Sequence, residues 1–199
     1  MCAMGGFLGA YALFLRGGNF GSASTGNLLE CMIMIKERRP LEVLIRLGGG
    51  LLFALPFMIS KWMELKTSLD RAKIILIGEL AALIICAFIP ADAHPVLALY
   101  PIFFISGFQW SVFGGTGKYG CSTIFISNNT RQCASSFAEY LITGNKEMRA
   151  KSAFYGKSIL SFLLAGLLSA LLAMHLGPVS ALCGMVFPIA VLIIGKGQA

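Results

Sequence analysis

Two glycine-rich stretches interrupt apolar segments at matching places in the two halves of the chain. Shifted by 101 positions, Gly6-Phe7 falls on Gly107-Phe108 and Asn27 falls on Asn128, while the glycines of 17–21 fall beside those of 114–120. A fixed offset of this kind indicates two copies of one unit. We predict one domain over residues 1–199, built from a first repeat of about 1–95 and a second of about 96–199.

Apolar segments make up most of the chain. Hydrophobic residues account for 57% of it and charged residues for 13%, and the mean hydropathy is +0.79. Soluble domains contain roughly 25% charged residues, so this composition predicts an integral membrane protein without a soluble domain. The apolar segments lie approximately at 1–15, 24–35, 41–60, 73–89, 97–113, 123–142, 153–174 and 178–194.

The first two apolar segments are each too short to cross a bilayer alone. A membrane-spanning helix needs about 20 apolar residues, and 1–15 and 24–35 are both shorter. We expect them to form one crossing that is broken midway, and we expect the same of 97–113 and 123–142. Counting each broken pair once gives six crossings, three in each repeat. Because three is odd, the second repeat must be inverted relative to the first, as in alternating-access carriers.

The basic residues favour six crossings with the N-terminus in the cytoplasm. That arrangement places nine of them inside against three or four outside, whereas eight separate crossings give nine against six. The nine are Lys61, Lys66, Arg71, Lys73, Lys146, Arg149, Lys151, Lys157 and Lys196. We therefore predict an all-α, polytopic transmembrane helical bundle of two pseudo-symmetric repeats, each with a broken first helix.

The charged and metal-binding residue types argue against other classes of function. The net charge of +7 comes from basic residues in short loops, which is typical of a membrane protein and not of a nucleic-acid footprint. His94 and His175 lie in separate loops, and the six cysteines are scattered without a C-x-x-C pair. We therefore expect no nucleic-acid partner, no metal, no cofactor and no catalytic set, so the chain is not predicted to be an enzyme.

Polar residues follow each predicted helix break, where they can serve the new helix or a ligand. Ser24 or Thr25 can cap the exposed N–H groups of the restarting helix, which leaves Asn27 to face inward. The start of such a half-helix carries partial positive charge and can receive an anionic or carbonyl-bearing ligand. The alternative is that these residues only satisfy the broken backbone. The candidate substrate-binding residues are Ser24, Thr25, Gly26, Asn27, Gln109, Ser127, Asn128 and Asn129.

Four charged residues are expected at membrane depth, where an unpaired charge is unfavourable. Glu30 and Arg131 each lie near the asparagine of their own repeat and on the same helical face as it. We predict that they form an intramembrane pair beside the centre, and the alternative is two unrelated charges near the interfaces. Arg46 and Glu79 are the other intramembrane charges, and we expect them to pair with each other in preference to a proton relay through Glu79.

Several short motifs, spread over nearly the full chain, carry a family resemblance. They are Gly5-Gly6-x-x-x-Ala10-Tyr11, Arg16-Gly17-Gly18, Thr25-Gly26-Asn27, Gly107-Phe108-Gln109 and Asn128-Asn129-Thr130-Arg131. In these motifs the chain resembles the YoaK-like family of bacterial membrane proteins, whose activity is uncharacterised. The resemblance implies a multi-pass protein of the bacterial inner membrane and supplies no catalytic residue.

The function expected from these features is that of a small-solute transporter or permease. Paired Gly-interrupted apolar segments in corresponding halves point to a transporter binding site. The alternative is a structural or regulatory membrane protein that acts through helix packing with itself or with a partner subunit. The expected partners are the lipid bilayer and a small-molecule substrate, together with a second copy of the chain if it forms a homo-oligomer.

Overall fold

The chain is described here by a computed structural model that covers residues 1–20, 24–114 and 118–196. All regular structure in these residues is helical, which confirms the all-α prediction at this level. The α-helices are α1 (Cys2–Leu15), α2 (Ser24–Lys36), α3 (Pro40–Lys66), α4 (Arg71–Phe88), α5 (Tyr100–Phe113), α6 (Ser127–Thr143), α7 (Lys146–Leu176) and α8 (Val186–Lys196). Short 3-10 helices cover Leu97–Leu99 and Gly177–Met185.

Local sequence explains where several of these helices begin and end. Pro40 occupies the first turn of α3, where its missing N–H is not needed. Asp70 caps α4 by accepting a hydrogen bond from the backbone N–H of Lys73 at 3.1 Å. Gly144 ends α6 with φ at 68°, a left-handed conformation that favours glycine. These are short-range signals that the amino-acid sequence carries by itself.

Helical structure stops at both places where a break is predicted. Residues 16–20, between α1 and α2, and residues 118–126, between α5 and α6, are described as non-helical. Gly17 and Gly18 have φ values of 61° and 78°, so the first break depends on glycine conformations. The first two helices of each half are therefore separate elements. We call the described residues 16–20 the first break, and we call Gly114 together with residues 118–126 the second break.

Within the described residues, two stretches of helix are long and apolar enough to cross a membrane. One is α3, and the other is the continuous run from Lys146 to Ile194, which contains α7, the second 3-10 helix and most of α8. The shorter apolar helices are Cys2–Leu15 and Leu97–Phe113. The count of six crossings is larger than the number of such stretches and stays a prediction.

The helices of the two halves pack across one another. Helix α1 lies against α7 and α5 lies against α3, while α2 packs on α3 and α6 packs on α7. Glycine permits the closest of these approaches. A Cβ atom added to Gly6 would collide with the carbonyl oxygen of Phe162 on α7, and one added to Gly107 would collide with the carbonyl oxygen of Phe53 on α3. The described parts of the two breaks meet where the rings of Phe20 and Phe125 pack with centroids 6.5 Å apart.

The side chain of Arg16 ties the first break to the end of α4. Arg16 is only 1% exposed, and its guanidinium donates hydrogen bonds to the carbonyl oxygens of Pro90 at 2.7 Å and Ile89 at 3.2 Å. These carbonyls lie at the carboxyl end of α4, where helix carbonyls lack intrahelical partners and a cation is favoured. The basic residue after α1 is therefore a buried helix cap.

Candidate binding site between the two helix breaks

A cavity of about 540 Å³ lies where the starts of α2 and α6 come together. Thr25 is the second residue of α2, and Ser127 and Asn128 are the first two residues of α6. All three line the cavity, and the other described residues of its wall are Trp110, Gly114, Gly120, Ser122 and Phe125. Of the eight predicted substrate-binding residues, these three are the ones that the structure brings together around the cavity.

Two helix starts facing one cavity give it a defined electrostatic character. The first N–H groups of a helix have no intrahelical partner and carry partial positive charge. Hydroxyl and amide side chains at those positions add hydrogen-bonding groups of their own. Aromatic rings close one side, because Trp110 and Phe125 pack edge to face with ring centroids 5.3 Å apart. The arrangement suits a small ligand with an anionic or carbonyl oxygen and an apolar portion.

Asn27 is buried at the first break and fixes its backbone. It is 6% exposed, its Nδ2 donates a hydrogen bond to the carbonyl oxygen of Phe20 at 3.4 Å, and its Oδ1 accepts one from Arg46 at 3.2 Å. It does not line the cavity. The side chain therefore points inward, as the sequence predicts, but its amide serves the break.

Asn129 makes similar hydrogen bonds to the backbone of the second break. It is 0% exposed, its Nδ2 donates to the carbonyl oxygen of Ser122 at 2.8 Å, and its Oδ1 accepts from the backbone N–H of Ser122 at 3.1 Å. Like Asn27, it reaches back seven residues to the backbone of the break. Asn129, and not the predicted Asn128, is therefore the residue whose hydrogen bonds resemble those of Asn27.

Asn27 and Asn129 are 102 positions apart, whereas Gly6 and Gly107 are 101 positions apart. Successive side chains on a helix point in directions about 100° apart. Asn129 therefore points into the interior, whereas Asn128 lies on the cavity wall. Asn128 is exposed, and its Oδ1 accepts a hydrogen bond from Arg131 at 3.1 Å.

Gln109 and Gly26 are not among the described residues that line the cavity. Gln109 is 0% exposed and donates from Nε2 to the carbonyl oxygen of Met1 at 3.1 Å. It does not line the cavity, because its neighbour Trp110 occupies that face of α5. Gly26 is exposed beside Thr25, and Ser24 begins α2 with a side chain outside the described part of the structure.

The predicted ion pair between Glu30 and Arg131 is wrong. Glu30 pairs with Arg46, whereas Arg131 is exposed and bonds to Asn128. The physical reason is helix packing, since α2 lies on α3 and α6 lies on α7. Glu30 therefore finds its partner on α3, and the described partner of Arg131 lies on α6 itself.

Arg46 is the centre of a buried polar cluster that sequence patterns do not reveal. Its guanidinium contacts Glu30, Asn27 and the Oδ1 of Asn19, the last at 3.0 Å. The predicted pairing of Arg46 with Glu79 is therefore wrong as well. Asn19 was not predicted, and its position directly after the two glycines of the first break is the only signal for it.

The second break is held by neutral groups and by one surface ion pair. The Tyr155 hydroxyl on α7 donates to the carbonyl oxygen of Gly120 at 2.7 Å. Lys118 pairs with Glu147 at 2.9 Å. The second break therefore carries no buried charge in its described residues, which distinguishes it from the first.

Metal-ligating residue types do not converge in the described ranges. No group of three His, Cys, Asp or Glu residues is placed to hold a metal ion there. The nearest approach of two thiols joins Cys2 and Cys121, whose sulfur atoms are 3.6 Å apart beside a second cavity of about 510 Å³.

Comparison with known proteins identifies the family of this chain. The profile of a family described as "Protein of unknown function (DUF1275)" matches residues 1–195. The chain belongs to this family. Neither the curated proteins nor the solved structures contain a match to the chain. The DUF1275 match covers both breaks and the cavity between them, and the YoaK-like name remains a prediction from the motifs.

Proposed function

We propose that this DUF1275 protein is a multi-pass carrier or permease of the bacterial inner membrane that binds a small polar or anionic solute between its two helix breaks. Membrane insertion is supported by the surface as well as by the two long apolar helices. Large apolar side chains face outward on most helices, including Phe88 at 80% and Ile142 at 84% exposure. Such extensive apolar exposure is unfavourable in water and suits a lipid environment.

Equivalent contacts in the two halves support a duplicated fold. The approach of α1 to α7 corresponds to that of α5 to α3, and Gly6 and Gly107 occupy the matching contact points. Asn27 and Asn129 make matching hydrogen bonds to a carbonyl seven residues earlier. We propose that these halves are inverted repeats with three crossings each, the arrangement from which alternating-access carriers are built.

The observation that carries the carrier proposal is the cavity shared by the starts of α2 and α6. Its volume of about 540 Å³ lies within the roughly 300–1,000 Å³ of typical small-molecule sites. The positive ends of both helices and the hydroxyls of Thr25 and Ser127 favour a carboxylate, phosphate or similar group. Arg131 adds a full positive charge one turn into α6, next to Asn128.

Ligand stabilisation of the purified protein tests this proposal. Mono- and dicarboxylates, inorganic phosphate and sulfate are added singly, and the apparent melting temperature is measured, since a ligand that binds only the folded form stabilises it by mass action. We expect at least one of these anions to raise the melting temperature. Ser127→Ala should weaken the response about tenfold, which corresponds to losing roughly one hydrogen bond to a charged group.

The matched control is Ser135→Ala, on the exposed surface of the same helix. It should leave the response unchanged. Equal effects of the two substitutions, or no response to any of these anions, would count against an anion site at the helix starts. Uptake of the stabilising anion into proteoliposomes then separates a carrier from a binding protein.

A structural or regulatory role is the second candidate, and one observation favours it. The amides of Asn27 and Asn129 are used in holding the breaks, as expected if the breaks serve packing. Cysteine substitution discriminates the two roles. Cysteines at Thr25 and Asn128 should react with a water-soluble thiol reagent and be protected by ligand in a carrier. Reaction without ligand protection would favour the structural role.

A further inference from the structure

Cys2 and Cys121 form a contact between the two halves of the chain. Their sulfur atoms are 3.6 Å apart, although the two residues are 119 positions apart in the sequence. Cys2 is the first residue of α1, and Cys121 belongs to the second break. Both thiols lie within hydrogen-bonding reach of one carbonyl oxygen, that of Ser122, at 3.8 Å from Cys2 and 3.6 Å from Cys121. The two side chains therefore point at the same place.

The backbones that carry these thiols also lie close together. A Cβ atom added to Gly5, one turn along α1 from Cys2, would collide with the carbonyl oxygen of Thr123, two residues after Cys121. A disulfide needs two backbones at short range and a sulfur–sulfur bond of about 2.05 Å. The sulfur atoms need to approach by about 1.5 Å, which is less than the swing of a cysteine sulfur about its Cα–Cβ bond. The same geometry accommodates the reduced form, because each S–H reaches the Ser122 carbonyl.

The cavity of about 510 Å³ gives access to both thiols. Its wall includes Cys2 and Cys121 together with Lys157 and Ser158 of α7, so polar molecules can enter it. Cys2 is partly exposed, whereas Cys121 is only 7% exposed. Cys2 is therefore the thiol that a dissolved reagent reaches first, and Cys121 is placed to react with it in turn. Redox-active cysteines often consist of an accessible thiol beside a second, resolving thiol.

We propose that Cys2 and Cys121 are a reversible dithiol–disulfide site, which a small-molecule disulfide oxidises and a small-molecule thiol reduces. The Cys2 thiolate attacks the small disulfide and forms a mixed disulfide, and one small thiol leaves. The Cys121 thiolate then attacks the Cys2 sulfur, which forms the protein disulfide and releases the second small thiol. Two protein thiols are thus oxidised, one small disulfide is reduced to two thiols, and the two protons pass to these thiols.

The disulfide fastens the second break to α1. Ser122, whose carbonyl oxygen both thiols face, also lines the cavity between the breaks and exchanges two hydrogen bonds with Asn129. Any movement that draws the second break away from α1 separates Cys2 from Cys121, so a covalent link between them prevents it. We expect the oxidised protein to lose transport for this reason. That expectation rests on the function proposed above, whereas formation of the disulfide does not.

Peptide mapping of the purified full chain tests the site. The reduced protein is equilibrated with oxidised glutathione, the remaining free thiols are blocked with N-ethylmaleimide in denaturant, and the peptides are identified by mass spectrometry. Cys2 and Cys121 should lose their reactivity towards the maleimide and should be recovered as one cross-linked peptide pair. An excess of reduced glutathione should restore both thiols, as expected of a regulatory disulfide and not of a structural one.

Two cysteine variants provide matched controls. Cys121→Ser should leave Cys2 as a mixed disulfide with glutathione, because the resolving thiol is gone. Cys183→Ser changes an exposed cysteine and should leave the link between Cys2 and Cys121 intact. If Cys121→Ser fails to fold, Cys2→Ser replaces it, and Cys121 should then form no disulfide with the other thiols of the protein.

Three results would overturn the inference: free thiols that persist at Cys2 and Cys121, a mixed disulfide that remains at Cys2 in the parent, or a link that dithiothreitol reduces but excess glutathione does not. Uptake of the stabilising anion into proteoliposomes is then compared before and after oxidation. A loss of uptake in the parent and not in Cys121→Ser supports the restraint of the second break, and equal uptake by the oxidised and reduced parent overturns that restraint. If neither form takes up an anion, the proposed carrier function fails while the separately measured disulfide stands.

Discussion

Replacement of Asn129 by alanine tests the central feature of the second break. The substitution removes both hydrogen bonds to Ser122, at 2.8 and 3.1 Å, and leaves a buried N–H and a buried carbonyl without their partner. Each such group is worth about 1–3 kcal/mol. Because Ser122 also lines the cavity, water can recover part of the loss. We therefore expect a loss of about 3 kcal/mol in the free energy of unfolding, half of the upper sum.

The adjacent residue provides a matched control. Asn128→Ala removes the same amide from an exposed position and breaks only its bond with Arg131. We expect an effect within about 0.5 kcal/mol. For a chain of this size, 1 kcal/mol shifts the melting temperature by about 2–4 °C, so Asn129→Ala should lower it by about 6–12 °C.

The assay is thermal unfolding of both variants under identical solution conditions at one scan rate, because the apparent midpoint of an irreversible transition depends on the rate. Comparable destabilisation by the two substitutions would refute the assignment of Asn129 as the counterpart of Asn27. So would a larger effect of Asn128→Ala.

Three further predictions concern stability and are measured by the same unfolding assay. Gly107→Ala should lower the free energy of unfolding by about 1–3 kcal/mol, since the added Cβ would collide with a carbonyl of α3. The control is Gly50→Ala, which has open space around it and should be neutral or stabilising by up to about 1 kcal/mol. Similar losses at both positions would contradict the close helix contact. Asp70→Ala should remove the cap of α4 at a loss of about 1 kcal/mol. The hydrogen bond from Lys73 lowers the pKa of Asp70, so this contribution is present at neutral pH and is lost as pH falls through the folded-state value; a difference between parent and variant that persists in acid would refute it. Arg16→Met should cost about 3 kcal/mol by leaving the carbonyls at the end of α4 without a charged donor, and an unchanged melting temperature would show that the cap is dispensable.

The helix class and the breaks follow from local sequence. Apolar runs predict the helices. Gly17 and Gly18 predict an interruption after α1, because glycine readily adopts the left-handed conformations that both residues have there. Ser24 and Ser127 are the first residues of α2 and α6 for a reason that is also local, since small polar residues suit helix starts. These features depend on residues within a few positions of one another, so the amino-acid sequence alone predicts them.

The partners of the buried polar groups depend on tertiary packing. Glu30 meets Arg46 and not Arg131 because α2 lies on α3, and no spacing within the sequence specifies that contact. The choice between Asn128 and Asn129 turns on a single residue of offset, which rotates a side chain by about 100°. Because of this rotation, Asn128 lies on the cavity wall while Asn129 bonds to the buried backbone of the break. Which of the two residues points inward depends on the packing of helices that are distant in the chain.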